Sequence, residues 1–335
     1  MSASRDSSVQ HPPAALTRRD LLRGAGALAA GAALAGAGLR PAFGDEPGAA
    51  RRRALRLAHL TDMHIMPGRN APAGVAACLK HAMALPDRPG LVLTGGDLIM
   101  DGFETEREST KTQWGLFVDV FKHECGVPVE HGLGNHDIWG WNKSKSKATG
   151  DEADYGKKWA MDVLGLESWH RSFDRAGWHF IMLDSITQNG EGYIGRLDDE
   201  QFEWLRADLA RTPASTPVLI VSHIPLLAAC VYVHCKDEES RKAWHVSGGL
   251  MHTDFRRIRE LFLKHRNVRV CLSGHIHQID RVEYEGVTYI CDGAVSGAWW
   301  KGRHYNCDEG YGLLDLYADG SFDHTYTTYG WKAQG

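Results

Sequence analysis

Gly134, Asn135, His136 and Asp137 put an amide, an imidazole and a carboxylate on consecutive residues directly behind an apolar run. Four other stretches hold the same position behind strand-like runs: Asp62-Met63-His64, Gly96-Asp97, Ser222-His223 and Gly274-His275-Ile276-His277. Side chains at i and i+2 of an extended chain point to one face, so Asp62 and His64 are expected to converge, as are His275 and His277. Met63 and Ile276 then face an apolar layer. Carboxylate and amide oxygens with imidazole nitrogens, and no thiolate, suit hard to borderline divalent or trivalent metals. Asp62, His64, Asp97, Asn135, His223, His275 and His277 are too many donors for one tetrahedral ion, whereas a pair of ions sharing one carboxylate would use them all.

In that order, and each at the end of a strand-like run, these five pieces resemble the calcineurin-like metallophosphoesterases over residues 55 to about 317. The resemblance implies an α/β chain folded as a four-layer α/β/β/α sandwich, two mixed β-sheets flanked by helices, with a dinuclear metal site at one rim. It implies that Asp62, His64 and His277 hold one ion, that Asn135, His223 and His275 hold the other, and that Asp97 bridges them. The ions would be Fe, Zn or Mn. With two divalent ions and two carboxylates the site carries about +2, matched to a phosphate group. The implied reaction is in-line attack on phosphorus by a metal-activated hydroxide, with an alcohol or phenol expelled. His136 would stand beside the leaving oxygen as proton donor or electrostatic stabiliser, and Asp137 would orient or charge its imidazole. Purple acid phosphatases carry a tyrosine ligand three residues after the bridging aspartate; Met100 stands there in this chain, so a tyrosinate-bound ferric site is not expected.

Structural roles compete for the neighbouring residues. The chain has 18 histidines, most of which cannot be ligands. Asp101 reads as a turn or cap residue. Trp139, Trp141, Trp299 and Trp300 could stack on an aromatic group, but pinning long loops is the stronger expectation. Lys143, Lys145 and Lys147 could attract a polyanion, and a solvated loop explains them equally.

Alternating strand-like and helix-like runs must position the donors. Strands are expected at 54–60, 91–94, 127–133, 178–184, 218–221 and 268–272, with helices at 73–85, 104–122, from 197, and at 255–264. Hairpins follow at 281–291, around a single Gly286, and at 313–328, around Asp319-Gly320. Gly95-Gly96 lets the backbone turn tightly and bring Asp97 to a metal. Long insertions at about 139–169 and 225–249 divide an otherwise single domain, 45–335.

The first 44 residues read as an address. Thr17-Arg18-Arg19-Asp20-Leu21-Leu22 precedes an Ala/Gly/Leu-rich run from Gly24 to Leu39, with small residues Ala42 and Gly44 beyond it. This resembles a cleaved twin-arginine signal, which implies the twin-arginine export machinery as a partner and a periplasmic or secreted destination in a bacterium. A retained anchor is the alternative, but the run of about 16 mostly small residues falls short of the roughly 20 a spanning helix needs, so no stable membrane insertion is expected after cleavage. That segment carries five Arg, no Lys and two acids, a net of +3, which leaves −7 for residues 45–335 of the chain's −4. An acidic body argues against nucleic acid as a partner.

Seven cysteines in a chain of this length are no disulfide framework. Cys271 and Cys291 read as buried small hydrophobes. Cys230 and Cys235 are best placed for a local disulfide, ahead of Cys125 and Cys307. The leading functional expectation is an exported dinuclear phosphoesterase acting on a small organic phosphodiester or phosphomonoester. Its rival is a non-catalytic exported metal- or phosphate-binding protein on the same scaffold; His136, which is no metal ligand by the resemblance, weighs against it. Oligomeric state is not encoded in any of these patterns.

Overall fold

In a computed structural model, residues 51–234, 236–238 and 242–333 are described. The export-signal segment and Cys235 therefore lie outside the described residues. Strand β1 (Arg53–Leu60), helix α1 (Ala71–Met83), β2 (Leu91–Gly95), α2 (Arg107–Glu124) and β3 (Val129–Gly132) open the fold as a β-α-β-α-β run. Short helices α3 (Lys143–Ser146) and α4 (Lys158–Leu164) then lead to β4 (Arg171–Arg175) and β5 (Trp178–Leu183). A hairpin of β6 (Ile186–Asn189) and β7 (Gly192–Gly195) precedes α5 (Asp199–Arg211) and β8 (Val218–Ser222). A ribbon of β9 (Lys236–Glu238) and β10 (Ala243–His245), then α6 (Phe255–Phe262), precede β11 (Val268–Ser273). The chain closes with hairpins β12 (Asp280–Tyr284) to β13 (Val287–Cys291) and β14 (Gly310–Tyr317) to β15 (Phe322–Thr328).

Two large mixed sheets result. The first runs β15-β14-β1-β2-β3, parallel across β1 to β3 and antiparallel at β14 and β15. The second runs β12-β13-β11-β8-β5-β4, parallel through β13-β11-β8-β5 with an antiparallel strand at each edge. Period two sorts the core into layers. Leu57, Leu93, Phe180, Leu219, Leu272 and Leu314 meet between the sheets. Ala58, Leu60 and Val92 face α1 and α2 through Val75, Leu79, Trp114 and Phe117. Ile181, Val218 and Ile220 face α5 and α6 through Leu205, Leu209, Ile258 and Phe262. Every residue of β5 and β8 is buried, as strands covered on both faces require. Truncating one such residue, for example Leu219→Ala, should cost about 2–5 kcal/mol.

Helix α5 begins where its acids put it. Asp198 accepts from the Gln201 amide, and Asp199 and Glu200 fill the first turn against the helix dipole. Among the elements that escape the pattern reading are β4 and two short ribbons, β6–β7 and β9–β10. β4, Arg-Ser-Phe-Asp-Arg, is a polar edge strand with no apolar run to signal it, and the β6–β7 hairpin is short and half exposed. The 285–286 turn has two residues rather than one: Glu285 and Gly286 both take positive φ, 52° and 89°, the backbone of a type I′ turn.

Cys271 and Cys291 are buried, as expected; Cys125, Cys230 and Cys307 are free thiols. Trp139, Trp141 and Trp300 are buried and pin their loops, with the Trp139 indole donating to the Thr105 carbonyl. Among the described residues no helix is long and apolar enough to cross a membrane.

Candidate metal centre

Strands β1, β2, β3, β8 and β11 deliver all seven proposed donors from their carboxyl ends, the edge of a parallel sheet where ligand sites form. The convergence is not the work of the pleat. β1 stops at Leu60 and β11 at Ser273, short of the donors. Asp62, His64, Asp97, His275 and His277 instead take left-handed backbone, with φ of 55°, 44°, 52°, 69° and 56°. Non-glycine residues hold such angles only where surrounding structure over-determines them, and they gather at functional sites. Met63 and Ile276 do face apolar layers.

The donor atoms lie close together. His277 Nε2 is 3.3 Å from Asp62 Oδ1 and 3.1 Å from His64 Nε2. His223 Nε2 is 3.3 Å from Asp97 Oδ2, 3.3 Å from Asn135 Oδ1 and 3.2 Å from His275 Nδ1. His64 Nε2 lies 3.6 Å from Asp97 Oδ2, which places Asp97 between the two groups. Three atom clusters able to hold an ion emerge: Asp62-His64-His277, Asp97-His223-His275 and His64-Asp97-His136.

Hydrogen bonds fix the rings. His223 Nδ1 donates to the Gly95 carbonyl at 2.8 Å, His277 Nδ1 to Gly297 at 2.6 Å, and His275 Nε2 to Gly249 at 2.9 Å. In the neutral form of each ring, the form a cation would favour, the other nitrogen is thereby left as a lone pair aimed into the cluster, the tautomer a metal ligand needs. The Thr61 hydroxyl and the His275 amide hold Asp62.

Charge balance fits cations as well. Burial works against ionising Asp62, but His277 and His223 keep its carboxyl below the usual range; His223 and His136 do the same for Asp97, well below it. Burial pushes His64 down to about 3 and His275 down to about 4, so both are neutral donors. Desolvation also opposes charge on His223 and His136, yet Asp97 prevails and raises each to about 9. Two buried carboxylates thus draw positive charge to themselves, and the donor set suits the two ions expected from the sequence.

His136 stands at the edge of this cluster, its Nε2 4.0 Å from Asp97 Oδ2 and its amide donating to Asp97 Oδ1 at 2.8 Å. Its ring partner is not Asp137. Both oxygens of Asp137 are occupied by backbone, accepting from the amides of Leu98, Ile99 and Gly134 at 2.8, 3.2 and 2.8 Å. Asp137 therefore ties the β2 and β3 loops together and acts on His136 only through its charge. Burial and Asp97 push its carboxyl up to about 7 against the pull of those amides.

Asp101 is the turn and cap residue expected from the sequence, and it also faces His136. It caps its own turn, accepting from Phe103, Glu104 and Thr105, and its Oδ1 also lies 3.7 Å from His136 Nδ1.

A cleft of 510 Å³ opens beside His136 and Asn135, walled by Phe103, Tyr193, Glu104, Glu191 and Asp101. Tyr193 comes from the β6–β7 hairpin, and its ring lies edge-on to His275 at 6.2 Å. Lys143, Lys145 and Lys147 of the 139–169 insertion have partners within the protein. Lys143 bonds the Thr149 carbonyl, Lys145 pairs with Glu104, and Lys147 bonds the Ser144 carbonyl.

Residues 55–279 match the family described as Calcineurin-like phosphoesterase. A 3',5'-cyclic-nucleotide phosphodiesterase of Nostoc sp. is 26% identical over 288 residues, covering 80% of this chain and 90% of the relative. A 3',5'-cyclic adenosine monophosphate phosphodiesterase of Escherichia coli is 28% identical over 127 residues, 38% of this chain and 40% of the relative. Among solved structures, a dimetal phosphatase from Danio rerio shares the fold, with a TM-score of 0.57 at 15% identity over 83% of this chain and 97% of that one. The chain belongs to the calcineurin-like phosphoesterase family, whose chemistry is metal-dependent phosphoric ester hydrolysis.

Proposed function

We propose that the chain is a dinuclear phosphodiesterase of small organic diesters, with 3',5'-cyclic nucleotides as the first class to try because similar chains are named for them. The observation that carries this reading is the arrangement of seven donors around two foci, with three histidines locked by carbonyls in the ligand tautomer. Asp62, His64 and His277 would hold one ion, Asn135, His223 and His275 the other, with Asp97 shared. When bound, the pair supplies a lowered pKa for water and a clamp on the phosphoryl oxygens.

The protein's own part is proton delivery and placement. A P–O bond to the water oxygen forms as the bond to the leaving oxygen breaks, and His136 gives that oxygen its proton. Asp101 holds the His136 ring toward the cleft, and Phe103 and Tyr193 house the organic group. Residues 1–44 are read as a twin-arginine export signal, placing the enzyme in the periplasm or outside the cell. The N-terminal sequence of the mature protein, and its loss from the periplasm on Arg18→Lys with Arg19→Lys, test that part.

The test of function is hydrolysis of bis(4-nitrophenyl) phosphate and of 3',5'-cyclic AMP by the Mn- or Zn-loaded full chain. Turnover abolished by chelation and restored by metal is expected, with His136→Ala keeping its metal and losing turnover. Chelation-insensitive turnover, or unchanged turnover in His136→Ala, would refute the assignment.

A further inference from the structure

Trp299, Trp300 and Tyr305 all have left-handed backbone, with φ of 52°, 68° and 50°. Packing accounts for Trp300, which is buried with its indole donating to the His64 carbonyl at 3.0 Å. Trp299 and Tyr305 are turned the other way, toward the site and solvent. The Trp299 ring lies 4.4 Å from His277 and 5.9 Å from His64. The ring series then continues outward, to His304 at 5.5 Å from Trp299 and to Tyr305 at 4.7 Å from His304. His234, from the 225–249 insertion, lies nearly parallel to His304 at 5.8 Å and accepts from the Gln278 amide.

The tip is braced. Backbone bonds between His304 and Cys307 in both directions close the turn at Tyr305-Asn306, and Tyr305 stands 55% exposed at its apex. Beyond the rings a cleft of 230 Å³ is lined by Val233, Gln278, Ile279, Tyr305, Asn306 and Cys307, without a charged side chain. This wall starts from the His64–His277 donors, whereas the 510 Å³ cleft starts from Asn135 and His136. The donor cluster is thus flanked by two separate organic surfaces. A phosphomonoester has one organic substituent and needs one; an open-chain phosphodiester has two, and a 3',5'-cyclic diester has one nucleoside esterified twice, with its base as the part that can reach a second surface.

We propose that the Trp299–His304–Tyr305 wall is a subsite for the substituent that stays on phosphorus, and that it takes a planar ring, aryl or nucleobase. This rests on the phosphodiesterase reading above and deepens it. Aromatic platforms accept planar rings through their π faces with little dependence on ring identity, each stacked ring being worth about fivefold to a hundredfold in affinity.

Two diesters with one leaving group decide the matter: 4-nitrophenyl phenyl phosphate and 4-nitrophenyl methyl phosphate, given to the metal-loaded full chain. The phenyl diester is expected to be favoured about tenfold or more in kcat/KM, chiefly through KM. Tyr305→Ala and His234→Ala, both at the outer end of the wall, should shrink that ratio about fivefold. Binding of unreactive diphenyl phosphate over dimethyl phosphate, followed by calorimetry, should show the same preference and the same loss. Metal-dependent turnover of both diesters at a ratio near one, or a ratio unmoved by either substitution, overturns the subsite and leaves the phosphodiesterase standing. Turnover of neither diester overturns both.

Discussion

Replacing Gly134 by Ala adds one methyl group at the point where the β3 loop crosses Asp97. A Cβ there would sit 2.0 Å from Asp97 Oδ1 and 2.3 Å from the Asp97 amide nitrogen, where ordinary contact begins at 3.4 Å. One side must therefore yield by about 1.4 Å, nearly three times the roughly 0.5 Å to which a working site is held. Neither can yield freely. Asp97 is held by the His136 amide, and the Gly134 amide is held by Asp137. Overpacking of this kind costs about 1–3 kcal/mol, and a misplacement of about 1 Å costs about a hundredfold in rate. Gly134→Ala should thus lower metal content and cut kcat/KM by about two orders of magnitude, with a Tm loss of several degrees. Gly115 provides the control. It is an exposed position in α2 with nothing within 4 Å of an added Cβ, and Gly115→Ala should stabilise by about 0.5–1 kcal/mol and leave turnover alone. Metal analysis, thermal melts and diester kinetics on both variants check this. Full metal content and near-native kcat/KM in Gly134→Ala would refute the reasoning.

Other outcomes follow from the same contacts. Asp101→Ala should keep the metals and lower kcat by roughly tenfold to a hundredfold, because His136 loses the carboxylate that lies 3.7 Å from its Nδ1; metal analysis with steady-state kinetics reads both. Asp137→Asn should behave differently, costing about 1–3 kcal/mol of stability by turning an NH₂ toward backbone amides that now have an acceptor, as a denaturant titration would show. Acid stability should report on Asp292, which is buried between His59 Nδ1 at 2.7 Å and His324 Nε2 at 2.8 Å. Burial opposes its charge, but His324 and His59 hold it down to about 2. A depressed carboxyl stabilises fully above its unfolded value near 4, and that contribution of about 2 kcal/mol is lost as pH falls from about 4 through 2. Melts at a series of pH values should therefore find the gap between wild type and Asp292→Asn wide at pH 7 and closing below pH 4.

What the sequence made legible was whatever follows from apolar period and strand ends. The runs before Asp62, Asp97, His223 and His275 end in buried strand residues, the run before Asn135 is half-buried, and chemistry-bearing residues stand where these strands stop. The left-handed backbone that aims five of the donors was not legible, because strand spacing alone suggested a pleat. β4 was hidden by its polarity, since an edge strand needs only one apolar side. Asp137 and Asp101 show the same limit at the site. Both are carboxylates near His136 in sequence or in space, and only the fold decides that Asp137 serves three amides while Asp101 meets the ring. The aromatic wall was out of reach for a related reason, as Trp299, His304 and Tyr305 share the loop between β13 and β14 while His234 comes from the 225–249 insertion.

The most direct measurement is metal stoichiometry of the full chain, by elemental analysis after loading with Mn or Zn, for wild type, His277→Ala and Asp97→Ala. The account predicts about two ions per chain in wild type, about one in His277→Ala, and little of either in Asp97→Ala, where the shared ligand is gone. A single ion in wild type, or full occupancy without Asp97, would contradict it.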